Sequence, residues 1–193
     1  MEIVRKTIEN DEEYLRQISK EVDFSDDSYK GEIELLKDFC LKRGSLALAA
    51  VQIGIPKRMV YIRNTNLNEL ENEEHNESRV LINPVIISRK GHTKYWEACA
   101  SCLDNMGLVS RPYEMVVSYF DINGVKHEEK YEGFESTVVS HELDHLDGIL
   151  HMDIAEELLQ MDKEERKEFR KTHPYEIISK TCEYDAPQKR LRK

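Results

Sequence analysis

The chain has 193 residues, 39% of them hydrophobic and 34% charged, with a formal net charge of −10. That length is expected of a single domain, residues 1–193, able to bury a core of its own. The acidic balance disfavours DNA as a partner, and no run of about 18 apolar residues is present to suggest a membrane span.

The first residues, Met1 to Lys6, lack the apolar stretch of a signal peptide, so a cytoplasmic location is expected. In a reducing compartment the four cysteines, Cys40, Cys99, Cys102 and Cys182, are read as separate thiols rather than a disulfide framework.

In chain order, helices are predicted over about 10–20 and 28–43. The second has apolar positions at Ile33, Leu35, Leu36 and Phe39 and a stop at Gly44, which places Cys40 in the core. Strands are predicted for Arg58 to Arg63 and Val80 to Ser88, both rich in β-branched residues. The polar, acidic stretch Asn64 to Ser78 between them reads as a solvated loop, and its His75 has no partner at ligand spacing. Glu114 to Asp121 and Val125 to Tyr131 alternate across Asn123-Gly124, a hairpin signal. Thr137 to Asp147 reads as a helix with Val139, Leu143, Leu146 and Leu150 on its apolar stripe and Gly148 as its stop. A charged amphipathic helix is expected over about 154–170. The tail from about 186, ending Lys189-Arg190-Leu191-Arg192-Lys193, is expected to be a flexible, solvated terminus, with RNA contact as its alternative use. The class expected is α+β: antiparallel or mixed sheets around a central helix, with helices at both ends.

The central helix carries His141-Glu142-Leu143-Asp144-His145. Four residues apart on one helical face, His141 and His145 form a two-point grip for a divalent metal, with Glu142 beside it to move protons. With 7 His and 26 Glu in the chain, this spacing arises by chance roughly 0.03 times. A catalytic site needs a third protein ligand and one open position. Two thiols are on offer in Trp96-Glu97-Ala98-Cys99-Ala100-Ser101-Cys102. The Cys99-x-x-Cys102 pair has other readings, as a redox pair, which the lack of a βαβ context weakens, as half of a zinc site, or as two buried thiols. No second such pair occurs, which weakens the structural-zinc reading.

These segments resemble the three ordered motifs of the peptide deformylase family. His141-Glu142-Leu143-Asp144-His145-Leu146-Asp147-Gly148 matches the third intact. Glu97-Ala98-Cys99-Ala100-Ser101 is similar to the second, and Ser45-Leu46-Ala47-Leu48-Ala49-Ala50-Val51-Gln52 to the first. The resemblance spans roughly residues 10–155. It implies that Cys99, rather than Cys102, joins His141 and His145 on the metal, because this alignment also matches Glu97, Ser101 and Arg111. It implies Glu142 as the catalytic carboxylate, and the Gln52 amide with the Ala100 backbone N–H as oxyanion donors. Glu97 and Arg111 would pair behind the cysteine, and Cys102 would be a close neighbour. Asp144 would hold nearby N–H groups or face solvent. Leu46, Ala47 and Val138, with His141, would border an apolar pocket for a methionine side chain.

The implied reaction removes the formyl group from the N-terminal formyl-methionine of new polypeptides, releasing formate. The implied cofactor is one divalent ion, Fe²⁺ in the cell, with Zn²⁺, Ni²⁺ or Co²⁺ able to occupy the site after purification. The implied partners are N-formyl-methionyl peptides, and the ribosome through the basic tail. The chain departs from the family at Ser45, Ala47 and Ala98, which stand in place of glycines, and at Ala100, Cys102 and Asp104. These changes bear on pocket shape and substrate preference more than on the ligands. The competing readings are a zinc peptidase using the same histidine pair, and a non-catalytic descendant that binds metal or formyl-peptides.

Overall fold

The computed structural model describes residues 3–63 and 79–187. Asn64 to Ser78, with the expected loop and His75, and the basic residues Lys189 to Lys193 lie outside the described residues.

The first helix, α1, is a single turn, Glu12–Leu15, instead of the eleven or so residues expected. Only Leu15 is buried, and Ile18 is 73% exposed, so no apolar stripe sustains a longer helix. The backbone beyond it is claimed by distant parts of the chain. Ser19 N–H donates to Leu146 O at 2.8 Å and Lys20 N–H to Pro56 O at 2.9 Å. Helix α2, Ser28–Arg43, has the predicted bounds and ends at Gly44. It buries Tyr29, Ile33, Leu36, Phe39 and Cys40 along one face.

Strands β1 (Ala47–Ala49) and β2 (Met59–Ile62) are buried at every position. Alternation explains why. Ala47, Ala49, Val60 and Ile62 face one apolar cluster, while Leu48, Met59 and Tyr61 face another formed with α2. The Arg58–Arg63 prediction therefore found the strand, trimmed to its buried residues. Between β1 and β2, Ala50–Ile53 forms a 3₁₀ turn that carries Gln52.

Strand β3, Arg79–Ala98, runs far beyond the predicted end at Ser88. Its polar second half is held by partners that no local pattern announces. Thr93 to Ala98 pairs with β4 (Asn105–Arg111), and Lys90 to Lys94 with β8 (Glu176–Glu183). Its first half pairs with β2 and with β5 (Glu114–Phe120), with register shifts near Pro84. Asn83 adopts φ 49 there, and its side-chain amide holds both backbone groups of Val22. The hairpin of β5 and β6 (Lys126–Glu132) closes across Asn123-Gly124 as expected, with Asp121 Oδ1 accepting from the Asn123 and Val125 N–H groups.

Helix α3, Gly133–Leu146, begins a turn earlier than predicted. Val139, Leu143 and Leu146 close the first cluster against β1, β2 and β5. The helix expected over 154–170 is broken into three pieces: a turn α4 (His151–Ile154), a strand β7 (Glu157–Gln160) and a helix α5 (Lys163–Thr172). Residues 157–160 pair with the free edge of β4, which outweighs their helical periodicity. The chain then restarts as helix at Asp162, whose side chain caps the Glu164 and Glu165 N–H groups. The strands form one eight-stranded sheet with antiparallel pairing throughout, so the class is α+β. Among the described residues no helix is long and apolar enough to cross a membrane.

Gly148 ends the α3 region at φ +67, where a Cβ would lie 2.1 Å from Arg16 O. A Gly148→Ala variant combines left-handed backbone strain with a backbone clash, and is expected to lose about 2–4 kcal/mol of stability, read from the midpoint of a guanidinium unfolding curve.

Candidate active site

The end of β3 and one face of α3 meet at Cys99, His141 and His145, whose ligand atoms all lie within 4.8 Å of one another. Cys99 follows the last residue of β3 and precedes a 3₁₀ turn, Ala100–Cys102. His141 and His145 project from adjacent turns of α3, with ring centroids 4.9 Å apart. Cys99 Sγ lies 3.4 Å from His145 Nε2. Ligands of a tetrahedral zinc or iron ion with one sulfur and two nitrogens sit about 3.5 Å apart, so this edge already has metal-site dimensions.

The orientation of His141 comes from Glu97. His141 Nδ1–H donates to Glu97 Oε2 at 2.8 Å, so in the neutral ring it is Nε2 that would offer its lone pair to a metal. Glu97 is in turn gripped by Arg111: Nε donates to Oε1 at 2.7 Å and Nη2 to Oε2 at 3.0 Å. Arg111 Nη1 donates to Asp144 Oδ2 at 2.5 Å. The expected Glu97–Arg111 pair is thus present, but it stands behind His141 rather than behind the cysteine. Asp144 joins it, neither capping a backbone group nor facing solvent alone. Burial by itself works against a charged Glu97, but the Arg111 charge and hydrogen bonds outweigh it and hold the carboxyl well below its usual range. Burial likewise opposes the Arg111 charge, and Glu97 and Asp144 more than restore it.

Cys102 is fully buried beside Cys99, and its N–H donates to Cys99 O at 2.9 Å. A hydrogen bond from the Cys102 thiol lowers the Cys99 pKa, and against burial His145 and His141 lower it further. The same bond, with burial, drives the Cys102 pKa upward. The opposite shifts favour Cys99 over Cys102 as the sulfur that ionises first, the form suited to a metal ligand.

Gln52 is placed with similar care. Its Oε1 accepts from the Ala49 N–H at 2.9 Å, and Nε2 donates to Cys99 Sγ at 3.3 Å and Ser101 Oγ at 3.1 Å. The amide therefore points its N–H groups at the cluster. The N-terminal segment straps both 3₁₀ turns, through Lys6 N–H to Gln52 O at 2.7 Å and Ile8 N–H to Ser101 O at 2.9 Å.

A cleft of about 260 Å³ opens over these groups. Gln52, Cys99, Ala100, His141 and Glu142 line it, as do Leu46, Ala47 and Val138, the three residues expected to form its apolar wall. Glu142 is buried, and its Oε2 has no hydrogen-bond partner among the described residues. Burial raises its pKa, against the opposing pull of His141 and His145. Two imidazoles, a thiol whose ionised form is favoured and a carboxylate oxygen without a hydrogen-bond partner together fit a divalent cation with a proton acceptor at its side.

Other cleft residues escaped the sequence reading. Phe134, one turn before Val138 on α3, packs edge-on against Tyr95 at 5.1 Å. Arg170 arrives from α5, and Arg5 from the N-terminal segment. Behind the cleft lining a third imidazole, His151, is buried with its ring centroid 5.7 Å from that of His141, and burial pushes its pKa down to about 4. A capping signal at Asp162 marks α5, but nothing in its charged sequence distinguishes Arg170 from a solvated position.

Comparison with known proteins gives a consistent result. The family profile described as polypeptide deformylase matches residues 4–161. The peptide deformylase of Pelagibacter ubique is 35% identical over 156 residues, covering 80% of this chain and 88% of that protein. Among solved structures, a probable peptide deformylase from Synechococcus phage S-SSM7 superposes with a TM-score of 0.68 at 32% identity, over 79% of this chain and 99% of its own. A peptide deformylase from Synechococcus elongatus, solved with actinonin, gives 0.70 at 28% identity, over 88% of this chain and 85% of its own.

Removing one partner of a buried pair strands the other charge. Arg111→Met is expected to cost about 3–5 kcal/mol in chemical denaturation. The double variant Glu97→Gln/Arg111→Met is expected to recover part of that loss, which a double-mutant cycle measures.

Proposed function

The chain belongs to the polypeptide deformylase family, an enzyme family that removes the N-formyl group from nascent peptides, and we propose how its own residues carry that reaction. The observation that supports the reading best is the convergence of Cys99, His141 and His145 beneath a cleft that also exposes Glu142 and Gln52.

Cys99, His141 and His145 would hold the metal. A divalent cation there supplies Lewis acidity, polarising the formyl carbonyl and making water nucleophilic near neutral pH. Glu142 Oε2, buried and without a partner, takes a proton from the attacking water and passes it to the departing amine nitrogen. Its raised pKa suits an acceptor that must also give the proton back. Charge gathering on the carbonyl oxygen is met by Gln52 Nε2 and the Ala100 backbone N–H. Gln52 Nε2 already donates to Cys99 Sγ and Ser101 Oγ, so one of those hydrogens has to turn toward the substrate. Glu97 and Arg111 do not touch substrate; they fix the tautomer and tilt of His141. Cys102 serves Cys99 as a hydrogen-bond donor.

The substrate side follows from the cleft. Leu46, Ala47 and Val138, joined by Phe134, offer the apolar surface for the methionine side chain. β1 pairs only with β2 among the described strands, leaving its other edge for an extended peptide. A sulfur ligand also distinguishes the site from zinc peptidases of the same histidine motif, which use a third His or Glu. Fe²⁺ is the ion proposed for the cell, since thiolate and imidazole ligands suit ferrous iron as well as zinc, with Ni²⁺ and Co²⁺ as substitutes. Residues 1–193 are read as one catalytic unit, because the cluster, the cleft and both apolar clusters hang on a single sheet. A cytoplasmic location and ribosome contact through Lys189 to Lys193 complete the proposal; that tail lies outside the described residues.

The test is formate release from formyl-Met-Ala-Ser by protein loaded anaerobically with Fe²⁺ or Ni²⁺. Glu142→Ala is expected to keep its metal and lose about 10²–10⁴-fold in kcat. In metal analysis, Cys99→Ser is expected to lose the ion and Cys102→Ser to retain it. Absence of formate from the loaded protein would sink the reading, and loss of metal in the Cys102 variant alone would reverse the ligand assignment.

A further inference from the structure

Resting on the deformylase reading, we propose that this cleft selects N-formyl-methionyl peptides with acidic side chains shortly after the methionine, through Arg5 and Arg170 at its mouth. Both line the cleft and both are half-buried. They stand on different walls. Arg5 belongs to the β1 side, where Nη2 donates to Ser45 Oγ at 3.3 Å and the guanidinium lies over the Phe39 ring at 5.5 Å. Arg170 belongs to the β3 side, where Nε and Nη2 donate to Trp96 O at 3.2 and 2.8 Å and the guanidinium lies over the Tyr95 ring at 5.1 Å.

Neither forms an ion pair among the described residues. Arg16, Arg58, Arg79 and Arg111 each sit on a carboxylate, whereas Arg43, Arg63, Arg89 and Arg166, like the two cleft arginines, have no ion pair among the described residues. The cleft has no carboxylate to spare for its two arginines: Glu97 is committed to Arg111 and His141, and Glu142 is buried at the far end. Each guanidinium is instead held by neutral oxygens and an aromatic face, which fixes its position and leaves its charge uncompensated. Arg170 Nη1, and Arg5 Nε and Nη1, have no hydrogen bond within the described residues.

A chain of net charge −10 repels acidic peptides in general, so two unpaired cations at one opening set a local field of opposite sign. A planar guanidinium is suited to a carboxylate, and the low-dielectric rim of Tyr95, Phe134 and Leu46 strengthens the pairing. An extended peptide advances about 3.3 Å per residue, so the second and third residues after the methionine lie roughly 7–10 Å further along the cleft. Arg170 also lies beyond residues 4–161, the part that matches the family profile, so this feature belongs to the chain's own C-terminal helix.

The test uses the metal-loaded full chain with formyl-Met-Ala-Glu, formyl-Met-Ala-Gln and formyl-Met-Ala-Lys. Formate release and equilibrium binding are measured for each peptide, at low salt and in 0.5 M NaCl. The expected result is a kcat/KM for the Glu peptide about 10-fold or more above that for the Lys peptide, carried by KM and shrinking with salt. Arg5→Gln and Arg170→Gln are each expected to cut that ratio several-fold, and Arg170→Lys to restore part of it. Because Arg170 also ties α5 to Trp96, Arg5→Gln on the other wall is the cleaner arm. Equal kcat/KM across the three peptides would overturn the proposal, and so would a ratio that persists in both glutamine variants. A Glu-over-Lys preference in binding without any formate would uphold charge selection and refute the deformylase reading.

Discussion

The Arg111 guanidinium is the group on which the site depends. It is buried, it arises from β4, and it satisfies Glu97 at the end of β3 and Asp144 on α3. Without it, two carboxylates would face each other across the junction of the elements that supply the ligands. With it, Glu97 can remain ionised in the interior and accept the His141 Nδ1–H, which aims the other ring nitrogen at the cluster. Charge balance in the protein interior is thus converted into the direction of a single lone pair.

The second constraint is the double-sided burial of β1. Its short, small-residue sequence lies between α2 and α3, so the strand can shift toward neither helix without opening an apolar cluster. Ala47 illustrates the consequence. Where the family pattern has glycine, this alanine is only 7% exposed and belongs to the cluster closed by α3, while it still borders the cleft. Ala98 and Ala100 border the cleft as well. The three alanines therefore sit around the cleft and replace none of Cys99, His141 and His145.

Much of this was legible in the sequence, and the reasons differ by element. Helix α2 announces itself by an apolar face and a glycine stop, and the β5–β6 hairpin by Asn123-Gly124, because each is stabilised by neighbours within a few residues. The histidine pair, Cys99, Gln52 and Glu97 could be named from their motifs, and the fold brings them together. The second half of β3, the shortness of α1 and the break at residues 157–160 were not legible. Each is decided by partners far along the chain: β8 for Lys90 to Lys94, Leu146 O for Ser19, and β4 for β7. Arg170 was hidden for the same reason, since only the docking of Phe169 on Trp96 turns that face of a charged helix toward the cleft.

The N-terminal strap adds a temporal dimension. Residues 6 and 8 are made well before the turns holding Gln52 and Ser101 to which they bond, and residue 19 waits for Leu146 at the end of the histidine helix. The metal pocket therefore has no local precursor; it comes into being only when contacts spanning most of the chain have closed, a topology that folds slowly. An ion held by residues 99, 141 and 145 would be the last long-range link, and would draw the equilibrium toward the native chain by mass action. In a cell, ion supply would govern how much of this protein survives as well as how fast it works.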